Sequence, residues 1–277
     1  MACLQPKADV VRMVARAQQK ALPILHPSFV GLLHCDNGAL TEVSSMQVGI
    51  IGSGNIGNTL ARNLKALGHD VLIANSRGPA TLAGFATETN VVATTAEQAA
   101  QAGNLVIIAV PQLAVADLPL DVLRANSAVV VDAGNYYPTR DGPVAQIEAG
   151  ATDSEWISSV LGRPVIKAFN NILADSLAKR GNLSGTGERI ALSVAGDDGK
   201  AKELVQDVIR ELGFDAIDGG TLAESWRQQP GTPAYCKDLN AMQLAAALDT
   251  ASKREIENYR RAADDAAAPY LTPFKAK

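Results

Sequence analysis

The chain has 277 residues, a formal net charge of −4, 47% hydrophobic and only 4% aromatic residues. Both charge signs are interspersed and no long basic run occurs, which argues against nucleic acid as a partner. The three cysteines (Cys3, Cys35 and Cys236) are widely spaced and form no C-x-x-C or Cys/His cluster, which points to a reducing, cytoplasmic setting and away from a structural metal; no apolar run approaches a membrane span.

Residues 1–45 differ in character from the remainder of the chain. Lys7 to Leu22 has a modest helical pattern, which Pro23 and Pro27 end, and Gly31 to Ser45 has no clear periodicity. Charges interrupt the segment, and no compact apolar core precedes a small-residue cleavage site, so it does not read as a signal peptide. Met46 stands directly before the first strand. The expectation is that the native chain starts there, or that residues 1–45 are a loosely attached extension.

From Met46 the pattern becomes βαβ. Gln47–Ile51 reads as a buried strand that runs into Gly52-Ser53-Gly54-Asn55-Ile56-Gly57, followed by a helix with Leu60, Leu64 and Leu67 on one face. Strand, glycine turn and helix come in the order a dinucleotide site requires. Gly52 would allow the tight turn, Gly54 the approach of a pyrophosphate, and Gly57 close helix–strand packing. The helix N-terminus adds free N–H groups and a positive dipole end. The second strand, Val71–Ala74, ends at Asn75-Ser76-Arg77, where an NAD enzyme carries an acid for the ribose diol. An amide, a hydroxyl and a guanidinium suit a 2′-phosphate instead, with Arg77 gripping it and Ser76 donating a hydrogen bond. This predicts NADP(H).

Further along, Ala80–Thr87 is predicted as a helix, Val91–Ala93 as a strand, and Thr95 as the cap of a short helix reaching Ala102. Leu105–Val110 is the most apolar strand and is placed centrally, ending at Val110-Pro111-Gln112. A helix over Val115–Arg124 precedes the strand Ala128–Asp132 and the loop Asn135–Pro138. Ligands lie beyond the carboxyl ends of such strands, so Val110, Pro111 and Asn135 are expected near a nicotinamide. A helix over Glu155–Leu161, a strand over Pro164–Asn171, a strand over Arg189–Val194, a helix over Lys200–Leu212 and a strand over Phe214–Ile217 complete the pattern. The fold class is α/β: a Rossmann-type doubly wound, mostly parallel sheet over 46–220, with a small helical C-terminal appendage over 221–277. In that appendage, Trp226–Pro233 reads as a pocket wall or subunit contact, and 238–267 as alanine-rich helix. By fold-level analogy the C-terminal helices are expected to pair in a homodimer.

The glycine loop, Asn75-Ser76-Arg77, Ala109-Val110-Pro111 and Val165-Ile166-Lys167-Ala168-Phe169-Asn170 resemble the NADP oxidoreductases that depend on the deazaflavin coenzyme F-420. They are also similar to the cytosolic reductase domain of the STEAP metalloreductases. The resemblance runs from Met46 to about Gly220 and weakens beyond. It implies NADPH on the glycine loop, hydride passed to a flavin or deazaflavin co-substrate, Ser76 and Arg77 on the 2′-phosphate, and Pro111, Asn135 and Asn170 around the nicotinamide. Two departures stand out: Asn170 replaces a His common in the deazaflavin enzymes, and the Trp226–Pro233 stretch replaces their usual approach to the deazaflavin.

Hydride transfer between two stacked rings needs no dedicated acid or base. Carbonyl reduction needs a proton donor. No Tyr-x-x-x-Lys pair exists, since Arg140 follows Tyr136 by four residues and Asp141 follows Tyr137 by four. Lys167 and Asn171 have the Lys-x-x-x-Asn spacing of 3-hydroxyacid dehydrogenases, but on an expected strand, so Lys167 reads better as a strand-end cation near phosphate or solvent. Tyr136, Tyr137 and Lys167 are the candidates if carbonyl chemistry occurs. Three functions remain open from sequence: reduction of a flavin, deazaflavin or other diffusible acceptor by NADPH; reduction of a small carbonyl or imine in a pocket lined by Tyr136, Tyr137 and Trp226; and a non-enzymatic NADP sensor.

Overall fold

The computed structural model describes residues 33–36, 39–42, 45–184 and 186–273. The helix expected over Lys7–Leu22 lies outside them. Leu33–Asp36 (β1) and Ala39–Glu42 (β2) pair antiparallel, with Asp36 opposite Ala39. Hydrophobic periodicity does not announce this pair; its one local signal is Asn37-Gly38, the dipeptide that favours a two-residue hairpin connection.

Gln47–Ile51 (β3) is buried at four of its five positions and sits in the middle of a six-stranded parallel sheet. Its neighbours are Asp70–Ala74 (β4) and Leu105–Ile108 (β6); Val92–Ala93 (β5) lies outside β4, and Val129–Asp132 (β7) and Ile166–Lys167 (β8) follow β6. The order β5-β4-β3-β6-β7-β8 is that of the Rossmann fold, with its topological switch between β3 and β6. Side chains alternate between two apolar layers. Val48, Ile50, Leu105 and Ile107 belong to one, and Ile51, Val106 and Ile108 to the other. A strand buried on both faces must be apolar at successive positions, which is why β6 reads as a continuous hydrophobic run.

Asn55–Ala66 (α1) follows β3 and buries Gly57, Leu60, Ala61 and Leu64 at helical spacing. At the bottom of the sheet, the buried His69 accepts the Met46 N–H on Nδ1 and lies 3.0 Å from Glu211 through Nε2. Several expected elements are shorter or broken. The helix after β4 begins as a 3-10 turn at Pro79–Leu82 and becomes α-helical over Ala83–Thr89 (α2). Ala96–Ala99 (α3) carries the expected Thr95 cap as a full capping box with Gln98. The predicted Val115–Arg124 helix splits at Pro119 into a 3-10 turn over Gln112–Asp117 and a helix over Leu120–Ala125 (α4), because proline cannot continue the hydrogen-bond ladder.

Pro138–Asp141 (α5) and Ala145–Glu148 (α6) are single turns, and Asp153–Leu161 (α7) starts from a Thr152–Glu155 capping box. The strand expected over Pro164–Asn171 is only β8. Phe169 has φ +62° and turns the chain off the sheet, into the helix Ala174–Lys179 (α8). Ala191–Val194 (β9) and Asp215–Asp218 (β10) pair in parallel across Gly199–Glu211 (α9), and one antiparallel bridge, Lys167–Ala195, joins this pair to β8. The long helix expected over 238–267 is two: Ala241–Thr250 (α10) and Ile256–Ala267 (α11), divided where Ala251 becomes extended. Leu244 and Leu248 of α10 pack with Ala191, which fixes the appendage to β9.

Candidate active site

The glycine loop leaves β3 at the switch point. Gly52 has φ +119°, and a Cβ there would lie 2.2 Å from the Ala109 carbonyl oxygen. A Cβ on Gly57 would lie 1.9 Å from the Gly52 carbonyl oxygen. Both positions must be glycine for the loop, α1 and the end of β6 to close together. Gly54 is different: its φ is −78°, and a Cβ would meet no protein atom within 4 Å. Nothing inside the chain requires a glycine there. The missing side chain leaves open space at the N-terminus of α1, where Gly54 makes no side-chain cap and the first turn holds no acid. Asn55 is exposed and Ile56 half-buried beside it. Unpaired N–H groups and bare backbone at that point have the chemistry that suits an anion such as a pyrophosphate.

At the end of β4, Asn75 braces the turn from within. Its Nδ2 donates to Ser53 Oγ at 3.1 Å and to Thr81 Oγ1 at 3.0 Å, and its Oδ1 accepts the Arg77 N–H at 3.0 Å. One amide thus locks the glycine loop to the turn that carries Ser76 and Arg77. Both of those side chains are exposed, and no carboxylate among the described residues pairs with Arg77. Thr81 carries no motif of its own; its proximity to Asn75 comes from the Gly78 turn, at φ +87°.

The far end of the site gathers at the carboxyl ends of β6, β7 and β8. Val110, Pro111 and Asn135 are half-buried, and Asn170 is 2% exposed. The two asparagines are reciprocal partners: Asn170 Nδ2 donates to Asn135 Oδ1 at 3.1 Å, and Asn135 Nδ2 donates to the Asn170 carbonyl at 3.2 Å. Gln228 extends the lattice, giving its Nε2 to Asn170 Oδ1 at 2.8 Å while its carbonyl accepts from Asn170 Nδ2. It comes from the 3-10 segment Leu222–Gln228, within the stretch singled out in the sequence. Tyr235, two residues past that stretch, completes the corner. Its hydroxyl lies 2.7 Å from the Tyr137 hydroxyl and accepts from Asn135 Nδ2 at 3.3 Å.

Two of the three candidate catalytic residues face elsewhere. Lys167 is fully buried, not a strand-end cation near phosphate or solvent. Its Nζ bonds Asp132 Oδ2 at 3.0 Å and the Gly134 carbonyl at 2.6 Å, while Asp132 also accepts from Ser154 Oγ and the Gly134 N–H. The lysine stands on the strand side that faces the Asp132–Gly134 turn, so its charge is neutralised inside the protein. Tyr136 is also buried; its hydroxyl donates to the Gly142 carbonyl and accepts the Val144 N–H. The expected pocket of Tyr136, Tyr137 and Trp226 does not form as one space. Tyr136 and Trp226 border a small interior gap with Asp153 and Arg260, whereas Tyr137 faces Tyr235.

Electrostatically, the corner around Asn135 combines neutral phenols and amides with one cation, Arg140, that is paired internally with Asp141. Burial pushes the Tyr137 and Tyr235 phenols above their ordinary range and raises the Cys236 thiol to about 11. Beneath it, burial also pushes the Asp153 carboxyl up, against the opposing pull of Lys167 and of the Tyr136 N–H that it accepts. The Arg140 guanidinium donates to the Asn135 carbonyl, lies 5.5 Å from the Tyr137 ring centre and is paired with Asp141.

Comparison with known proteins agrees with this layout. Residues 47–136, from β3 through the loop after β7, match the family model described as NADP oxidoreductase, coenzyme F420-dependent. The chain is 29% identical over 192 residues to the rat metalloreductase STEAP3, and 42% identical over 71 residues to the Escherichia coli protein YjhV. It spans 37% of the length of STEAP3 and 52% of YjhV. Among solved structures, a structure described as an F420-dependent NADP-reductase from Arthrobacter sp. FB24 is 25% identical with TM-score 0.54, over 65% of this chain and 87% of that one. The hypothetical protein SMa0349 of Sinorhizobium meliloti is 36% identical with TM-score 0.60, over 71% of this chain and 96% of that one. No helix among the described residues is long and apolar enough to cross a membrane. With its glycine loop, switch-point sheet and these relatives, the chain is similar over residues 47–136 to the NADP oxidoreductases described as coenzyme F420-dependent.

Proposed function

We propose that this protein is an NADPH-dependent reductase that passes hydride to a diffusible acceptor seated against the Asn135–Asn170 corner. The observation that carries the reading is the open space at Gly54, at the uncapped start of α1, which the fold itself does not require. Ser76 and Arg77 hold the 2′-phosphate, Gly52 to Gly57 receive the pyrophosphate, and Val110, Pro111, Asn135 and Asn170 border the nicotinamide. When bound, NADPH supplies the hydride. The chain's own residues fix the ring and exclude water, and the rigid amide lattice of Asn135, Asn170 and Gln228 is suited to that task.

The family match over residues 47–136 supports a flavin or deazaflavin acceptor, to which ring-to-ring hydride transfer demands no dedicated acid. A specific observation favours a second reading, reduction of a small carbonyl or imine: the paired Tyr137 and Tyr235 hydroxyls stand beside Asn135. The test is NADPH oxidation by the purified chain, with deazaflavin coenzyme, FMN and a set of ketones and cyclic imines offered separately. Turnover with the ring acceptors alone selects the first reading. Turnover with the polar double bonds selects the second. Tight NADPH binding without turnover would return the sensor as the better account.

A further inference from the structure

The corner holds three weak acids in one chain of contacts. Tyr137 Oη is 2.7 Å from Tyr235 Oη, and the Cys236 thiol lies against the same Tyr235 hydroxyl. All three keep their protons at neutral pH, since burial raises each of them. The two phenols share one contact, which leaves one phenol proton outside it. Asn135 faces the pair with a donor: its Nδ2 donates to the Tyr235 oxygen, while its Oδ1 accepts from Asn170 Nδ2. Either hydroxyl can donate in the Tyr137–Tyr235 contact; with Tyr137 donating, the free proton is that of Tyr235, whose oxygen also accepts from Asn135.

The backbone around Tyr235 is held in an uncommon shape. Cys236 has φ +52° and Asp238 φ +50°, both in the left-handed region that residues with a side chain seldom occupy. The segment is pinned on either side: the Cys236 N–H donates to the Asn171 carbonyl at 3.0 Å, and Asp238 accepts from Arg180 and Ser176 at 2.7 Å each. Local strain that the surroundings over-determine is characteristic of positions that hold a functional group in place. Here the group placed is the Tyr235 phenol. Tyr235 and Tyr137 are both partly exposed.

We infer that Tyr235 is a catalytic proton donor, with Tyr137 as its relay, for the reduction of a polar C=O or C=N bond. The assignment rests on the second reading above and on NADPH as the hydride source. In the step, the substrate carbon takes the hydride of NADPH while the π pair moves to the oxygen or nitrogen. That heteroatom takes the Tyr235 proton, Tyr235 takes the Tyr137 proton, and Tyr137 is reprotonated from solvent. The products are the alcohol or amine and NADP⁺. The Arg140 guanidinium near the Tyr137 ring stabilises the phenolate formed on the way. A localised alkoxide or amide anion is a strong base and gains most from a proton donor beside it. A reduced flavin-type ring spreads its charge and gains little from so weak an acid, which is why the pair points to a polar double bond.

The experiment monitors NADPH oxidation by the full chain with benzaldehyde, cyclohexanone and pyrroline, comparing it with Tyr235→Phe and Tyr137→Phe. Nucleotide affinity is read separately from NADPH fluorescence. The expected result is turnover of at least one of the three, a fall in kcat of about 10²–10⁴-fold for Tyr235→Phe, and a smaller fall for Tyr137→Phe. NADPH affinity should stay unchanged in both, and kcat should slow in deuterated water. Absence of turnover with all three, or phenylalanine variants at wild-type rates, would overturn the assignment while leaving the nucleotide reading intact. Failure to bind NADPH would overturn both. Should Tyr235→Phe not fold, Tyr137→Phe and the solvent isotope effect decide: a normal rate in each refutes the relay.

Discussion

The two ends of the candidate site are built on different scales. At the nucleotide end, Gly52 to Gly57 and Asn75 to Thr81 lie within 30 residues of one another, and their contacts are set by one strand–turn–helix unit and the strand beside it. At the acceptor end, Asn135 meets Tyr235 across 100 positions, Tyr137 meets Tyr235 across 98, and Asn170 meets Gln228 across 58. The first is a local motif that a mutation can damage one glycine at a time. The second is an assembly of loops after β7 and β8 with a segment beyond β10, and it depends on how those loops are anchored. Its anchor is the Lys167–Asp132 pair, which fixes the Gly134 backbone directly before Asn135.

Removing that anchor should have the largest effect. Lys167→Met leaves the Asp132 carboxylate buried and uncompensated, and is expected to cost about 3–5 kcal/mol in urea unfolding. Restoring neutrality with Asp132→Asn in the same chain should recover a large part of the loss. A single variant as stable as the wild type would show that the acceptor corner is not held from beneath.

The glycines sharpen the contrast within the nucleotide end. Gly57→Ala pushes a methyl group into the Gly52 carbonyl and should lower stability by about 1–3 kcal/mol, the usual range for overpacking. Gly54→Ala meets no protein atom and should leave the thermal midpoint near wild type. Its NADPH affinity should nevertheless fall by at least about tenfold, equivalent to about 1.4 kcal/mol. Equal behaviour of the two variants would break the distinction between a glycine needed by the fold and one needed by the ligand.

Arg77→Ala tests the other contact at this end. Loss of a charge-assisted hydrogen bond of about 1.5–3 kcal/mol predicts NADPH affinity weaker by about ten- to a hundred-fold, with NADH hardly changed, as measured by titration of each nucleotide. Parallel losses for both nucleotides would remove Arg77 from the 2′-phosphate.

The smallest effect concerns Cys236 at the acceptor end. Burial lifts its thiol from 9.0 to about 11, so thiolate is scarce through pH 9 and alkylation by iodoacetamide should climb only as pH approaches 11. By the same sign, the stabilisation from keeping this thiol neutral is complete below about pH 9 and disappears towards pH 11. Peptide mass spectrometry after timed labelling reads the rate. Fast labelling at pH 8 would mean that the corner is more open than its packing with Tyr235 implies.

Period and proximity account for all that was legible in the chain of residues alone. Buried strands must be apolar at successive positions, glycines must stand where backbone meets backbone, and a capping threonine must precede its helix. The parallel sheet, the close-packed glycine loop at Gly52 to Gly57 and the turn at Ser76-Arg77 were therefore readable. So was the unusual character of the Trp226–Pro233 stretch, though not its role. Element ends were less legible, because Pro119, Phe169 and Ala251 break patterns whose hydrophobic spacing continues past them. Only the tertiary structure decided which way each polar side chain faces. Lys167 and Tyr136 looked like chemistry on composition, but β8 and the loop after β7 turn them inward, where a buried charge must find a partner and a buried hydroxyl must find a backbone group. Tyr235 carried no local signal. Its hydroxyl reaches Asn135 because the segment after Gln228 crosses the carboxyl ends of β7 and β8, and no spacing along the chain encodes a contact made across that distance.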